Sequence, residues 1–285
     1  MSAPTRRLTE LYIHGSEPDE QRRLSRLNDL LNEASLRELG LRGGETLLDV
    51  GCGIAQFTRA MARAAGPAGR VIGVERDPAQ LEEARKQAAS AGETDTVELR
   101  QGDALDLPLR AEEWGTFDVV HARYLLEHVP DPLAVVQTMA CAARPGGRIV
   151  LADDDHDILR LWPDLPGLHS IWNAYIRSYD RLGHDPYVGR RLVSLLHHAG
   201  AVQIRNTWVF FGGCAGSPAF ADVVENMAKI LLGARGLILS TAHLPEKTFD
   251  QAIEALYDWA NRPDAALWFA MCLAEGSKPT LEALS

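Results

Sequence analysis

Apolar residues recur at two different periods along this 285-residue chain, and the change from one to the other falls near Glu45. Before it, Leu24, Leu27, Leu30, Leu31 and Leu36 are spaced as on one face of a helix, which predicts helical structure to about Leu41. After it, short unbroken Val/Ile/Leu runs alternate with amphipathic stretches. Thr46–Val50, Arg70–Val74, Val97–Gln101, Phe117–His121 and Arg148–Ala152 read as buried strands. Phe57–Ala65 and Pro78–Ala91 read as helices between them, the second with proline in its first turn. Strands without polar alternation, separated by helices, imply a mostly parallel sheet covered on both faces.

The rhythm breaks after Asp153. The stretch from Asp154 to Tyr187 is irregular and aromatic, and Gly189–His198 reads as a helix. Val202–Phe211 reads as a sixth strand, Gly212–Pro263 as a helical block and Ala265–Ala274 as a seventh strand. The expected fold is α/β, Rossmann-like, with seven strands, helices on both faces and a helical lid. The expected organisation is one continuous domain: an N-terminal cap at 1–44, a core at 45–153, and the rest of the sheet with lid insertions at 154–285.

Composition narrows the class. With 46% hydrophobic residues there is enough apolar material for a core without metal or disulfide staples. The four cysteines, Cys52, Cys141, Cys214 and Cys272, show neither a CxxC pair nor zinc-site spacing, and read as reduced thiols of a cytoplasmic protein. The N-terminus has no apolar stretch of the signal-peptide kind, and no apolar run is long enough to span a bilayer. A net charge of −10 argues against a nucleic-acid partner, whose binding rests on clustered Lys and Arg. A small molecule is the expected partner; oligomeric state is not legible.

The chemistry gathers at strand ends. Asp49-Val-Gly51-Cys-Gly53 lies at a strand-to-helix turn, where glycines let the backbone approach a ligand and the helix N-terminus offers free N–H donors. Glu75 ends the second strand, about 20 residues on, where a carboxylate accepts hydrogen bonds from ribose hydroxyls. Gly102-Asp103-Ala104 ends the third, placed to read an adenine edge. The third glycine of a dinucleotide fingerprint is replaced by Gln56, and Asp49 would face a pyrophosphate, so both features disfavour NAD(P).

The stretches LLDVGCGIAQFT, VIGVERDP, LRQGDALDLP, FDVVHARYLLEHVPDP and RPGGRIVLAD resemble the class I S-adenosylmethionine-dependent methyltransferases, especially the methyltransferase type 11 group that includes quinone-biosynthesis enzymes. The resemblance implies S-adenosylmethionine as cofactor, with S-adenosylhomocysteine as product. It implies that Asp49 holds the glycine turn near the methionine amino group, with Gly51 and Gly53 beneath ribose and methionine. It also implies Glu75 on the ribose, Arg76 beside the adenine, Asp103 and Ala104 reading the adenine, and the Ala122 backbone on the amino group. Tyr12 resembles an aromatic that closes over the cofactor.

Methyl transfer from a sulfonium needs mainly in-line positioning, with a general base where the acceptor must lose a proton. Asp153-Asp154-Asp155-His156-Asp157 offers His156 as that base, a divalent-cation site, or simply a solvated acidic loop. His128 reads as structural, while Arg123 reads as either a substrate contact or an ion pair. The aromatics Trp162, Trp172, Tyr175, Tyr179, Trp208, Phe210 and Phe211 either line an apolar acceptor pocket or form core. The expected function is methyl transfer to a small, partly apolar molecule. The rivals are a cofactor-binding protein without methyl transfer and a methyltransferase acting on protein or RNA.

Overall fold

The computed structural model describes residues 31–280. A first helix, α1, covers 31–39, and β1 (Thr46–Val50) follows. The units α2 (Gln56–Ala65), β2 (Arg70–Glu75), α3 (Pro78–Ser90), β3 (Glu98–Gln101), β4 (Phe117–Arg123), α4 (Pro132–Ala142) and β5 (Ala143–Asp153) alternate as the apolar pattern predicts. After β5 come β6 (Arg160–Trp162), α5 (Pro166–Ser178), α6 (Leu192–His198), β7 (Val202–Phe210) and β8 (Gly213–Cys214). The chain ends in α7 (Phe220–Gly233), α8 (Arg235–Ala242), α9 (Glu246–Ala260), β9 (Ala266–Trp268) and β10 (Ala270–Ser277).

Seven strands form one sheet in the order β3-β2-β1-β4-β5-β10-β7. The pairs among β1 to β5 are parallel, and β10 runs antiparallel to both neighbours. The strand order reverses between β1 and β4, which opens a crevice at the carboxyl ends where ligands bind in such sheets. Four of the five residues of β1 are buried, as a strand covered on both faces requires. Local capping agrees with the sequence: Asp77 and Asp131 accept hydrogen bonds from the first turns of α3 and α4, each with proline next in line.

Several expectations change. Ala265–Ala274 is two strands, not one. β9 pairs with β6 and β8 in a separate three-stranded sheet, and the chain then crosses at Phe269 into β10. The aromatic stretch after Asp153 contains α5, in which Leu168, Ile171, Trp172, Tyr175 and Ile176 recur at helical spacing and are buried while Asn173 and Arg177 are exposed. It packs on α8 and α9. Gly189–His198 begins as a 3-10 turn before α6. One apolar cluster runs without a break from Leu47, Val71 and Val150 of the sheet to Tyr175, Phe249 and Leu256 of the later helices.

Candidate functional site

The carboxyl ends of β1, β2, β3 and β4 surround a cavity of about 560 Å³. The first turn is shaped by Gly51, at φ +73°, where a Cβ would lie 2.9 Å from Leu125 Cδ1, and by Gly53, at φ +54°. No side chain fits at Gly51 without moving Leu125, so the backbone itself forms the cavity floor.

Seven of the residues expected to contact the cofactor line this cavity: Asp49, Gly51, Gly53, Glu75, Arg76, Asp103 and Ala104. Asp49 is 3% exposed and has both oxygens engaged. Thr58 Oγ1 donates to Oδ2 at 2.6 Å, and Oδ1 shares a hydrogen bond with His121 Nδ1 at 2.8 Å. Glu75 accepts the N–H of Gly53 at 2.9 Å and that of Asp77 at 2.8 Å, which ties β2 to the glycine turn. Burial nevertheless holds the Glu75 carboxyl above its ordinary pKa. The Cys52 thiol beside it is pushed well up by burial and by the charges of Asp49 and Glu75, so it is no nucleophile. Asp103 is fixed by the Leu105 N–H at 2.8 Å and sits 4.0 Å from Arg76, an exposed pair worth little to stability.

Ala122, next to last in β4, has its side chain in the core; its neighbours His121 and Arg123 reach the cavity. Tyr12 lies outside the described residues. His156 is not on the cavity wall.

The sequence left Arg123 open between a substrate contact and an ion pair, and it missed Tyr124, Leu125 and Val129 on the wall. Arg123 reaches the cavity with its guanidinium 4.3 Å above the Phe57 ring and one nitrogen donating to Asn32 at 3.0 Å. Tyr124 holds φ +54°, a costly conformation for a side-chain-bearing residue, and carries the chain past the cavity into a 3-10 turn. No sequence signal announces the Tyr124 conformation or the Arg123 contacts with Phe57 and Asn32. Asp153 fixes that turn: its Oδ2 accepts the N–H groups of Leu125 at 3.1 Å and Leu126 at 2.7 Å. Burial pushes the Asp153 carboxyl up to about 7.

The turn presents His128 to the cavity. Behind it, Glu127 bridges two imidazoles, His128 Nε2 at 3.3 Å and His156 Nε2 at 3.1 Å. The network continues from His156 to Tyr179 at 3.2 Å and from Tyr179 to Tyr175 at 2.8 Å. Burial alone would lower the pKa of His128, but the Glu127 charge and hydrogen bond outweigh it and leave the imidazole more basic than usual. Atoms of Glu127, Asp154 and His156 lie within 4.8 Å of one another, a spacing that suits a small cation.

Two alternatives left open by the sequence are decided here. The 153–157 run is not a solvated loop: Asp153, Asp155 and His156 are buried, and Arg190 clamps Asp155 through two hydrogen bonds. Nor do the later aromatics line the cavity. Trp172, Tyr175, Tyr179 and Phe211 are core, while Trp162, Trp208 and Phe210 are more than half exposed.

Asp49, at the glycine turn, would face a pyrophosphate and suits instead a ligand whose ammonium lies beside its sulfonium. Fold and site together define an S-adenosylmethionine-binding methyltransferase of the Rossmann-like class. Comparison with known proteins agrees. The model of the methyltransferase domain family matches residues 41–177. The chain is 32% identical over 189 residues to the demethylmenaquinone methyltransferase of Lactococcus lactis, covering 62% of this chain and 73% of that protein. It is 32% identical over 201 residues to an uncharacterised 37.1 kDa transposon protein of Streptomyces fradiae, 68% of this chain but only 55% of that one. Among solved structures, the cyclase SpnF superposes with a TM-score of 0.53 at 20% identity, over 93% of this chain and 85% of its own, which speaks for the fold alone. The chain belongs to the S-adenosylmethionine-dependent methyltransferase family.

Proposed function

We propose that His128, polarised by Glu127, is the general base for a small, partly apolar acceptor that loses a proton as it is methylated. The observation that carries this reading is the Glu127–His128 pair at 3.3 Å, with the imidazole on the cavity wall. S-adenosylmethionine, when bound, supplies the activated methyl group. Glu75 would take the ribose hydroxyls, Asp103 and Ala104 the adenine edge, Arg76 the ring face, and Asp49 with the Ala122 backbone the ammonium. Tyr12 is proposed to close over the cofactor. His156 then acts behind Glu127, holding that carboxylate toward His128. Phe57, Leu125 and Val129 supply the apolar wall that favours an acceptor with an apolar body.

The helices α5 and α7 to α9 are read as the lid, continuous with the core domain. Net charge −10 supports a small-molecule acceptor over a nucleic acid. No helix among the described residues is long and apolar enough to cross a membrane, and the four cysteines are free, which favours a cytoplasmic location.

The test is a pH–rate profile with a methyl acceptor found by screening with labelled S-adenosylmethionine. His128→Ala should lower kcat roughly 10²–10⁴-fold while S-adenosylhomocysteine still binds. Glu127→Gln removes the charge that raises the His128 pKa, so the acid limb of the profile should move to lower pH. An unchanged kcat in His128→Ala would overturn the assignment.

A further inference from the structure

The side of the molecule away from the cavity carries a feature that methyl transfer does not use. Trp162, Trp208, Phe210 and Trp268 are 56–67% exposed. They are contiguous: Trp208 and Phe210 share a face of β7, the Phe210 ring lies 6.2 Å from that of Trp268, and the β6–β9 register puts Trp268 and Trp162 on one face of the small sheet. Taking about 200 Å² per aromatic side chain, the ribbon leaves roughly 500 Å² of ring surface in water. That is near the upper end of what a monomer exposes.

The ribbon borders the outer edge of β7, which has β10 as its one strand partner among the described residues. Edges of this kind are usually guarded by lysine or proline. VQIRNTWVF has neither. Its single charge, Arg205, is already committed within the chain to Glu38 and Glu275. The register shift opposite Glu275 and Ser277, with Gln203 at φ +52°, bends the start of the strand away. Residues 204 to 210 remain as a regular edge.

We infer that this edge pairs with the same edge of a second copy of the chain, antiparallel about a two-fold axis at Thr207. The segment is self-complementary in that register. Thr207 meets Thr207 of the partner subunit, and Ile204 lies opposite Phe210 of the partner subunit, both favourable cross-strand combinations. Trp208 comes within diagonal reach of Trp208 of the partner subunit, which seats the centre of each ribbon against the other. A standard interface takes about 800 Å² from each copy, so the ribbon supplies more than half and the backbone edge with its polar side chains the remainder. The chain's net charge of −10 selects against an anionic lipid surface or nucleic acid as the occupant. Two acidic copies, in contrast, meet here where no acidic side chain of β7 intervenes. The pairing leaves the cavity open, because β7 and the glycine turn lie on opposite sides of β10, β5 and β4.

Sedimentation velocity of the full chain, which needs no activity readout, tests this. The protein should sediment at twice the chain mass. Trp208→Lys and Trp208→Glu should each sediment as monomers that bind S-adenosylhomocysteine like the parent, because like charges then meet across the axis. An equimolar mixture of the two variants should restore the dimer. A parent protein that stays monomeric over the accessible concentration range overturns the inference. So does a dimer that persists in either variant, or a monomer that instead cosediments with phosphatidylcholine–phosphatidylglycerol vesicles.

Discussion

Gly51 shows how narrowly a single residue shapes the site. Its positive φ disfavours any side chain, and the Leu125 methyl at 2.9 Å from a would-be Cβ blocks the space as well. Gly51→Ala should therefore cost about 1–3 kcal/mol of stability, read as a lower melting temperature, and should weaken cofactor binding by moving the cavity floor. Glu75 and Asp103 act differently, since their carboxylates are fixed by backbone N–H groups at 2.8–2.9 Å and keep acceptor capacity for a ligand. Losing one hydrogen bond to a charged group costs about 1.5–3 kcal/mol. Glu75→Ala and Asp103→Ala should each raise the Kd for S-adenosylhomocysteine by roughly 10–150-fold, measured by titration calorimetry. Unchanged affinity in both would displace the ribose and adenine from where we put them.

Among the elements, the 3-10 turn after β4 matters most, because it carries both Glu127 and His128. It is held from β5 by a buried carboxylate rather than by its own residues. The Asp153 pKa is raised to about 7, above its unfolded value, so the folded state penalises the ionised form. Its destabilising effect is absent below about pH 4 and complete above about pH 7. An asparagine oxygen still accepts the Leu125 and Leu126 N–H groups. The melting temperature of Asp153→Asn, relative to the parent, should accordingly rise from pH 4 to pH 7 and level off above it. A constant difference across that range would show that the Asp153 carboxyl does not titrate where its burial puts it.

For the whole molecule, ligand binding and stability are linked, because the cavity walls come from four strands of one sheet. At 100 times Kd, a ligand that binds only the folded chain adds about 2.7 kcal/mol. S-adenosylmethionine and S-adenosylhomocysteine should each raise the melting temperature by several degrees, and NAD should leave it unchanged. A shift with NAD alone would contradict the reading that Asp49 and Gln56 disfavour a pyrophosphate.

The parallel half of the sheet, its helices and the glycine turn were all legible in the sequence. Buried strands are written as unbroken apolar runs, and an acid at a strand end has few ways to point. The three acids proposed for the cofactor, Asp49, Glu75 and Asp103, lie on or just after the adjoining strands β1, β2 and β3 and line one cavity, as their places at strand ends predict. The acceptor side was decided only by tertiary structure. His128 and His156 are 28 residues apart in number, and nothing in either neighbourhood says that Glu127 joins them or that only His128 reaches the cavity. The aromatics show the same limit, since spacing alone could not separate Tyr175 and Tyr179 in the core from Trp162, Trp208 and Phe210 at the surface. Which face of a strand or helix meets water depends on what the rest of the chain lays over it: β7 ends its sheet and leaves Trp208 and Phe210 exposed, while Tyr175 in α5 and Tyr179 at its end are buried, with α5 packed on α8 and α9.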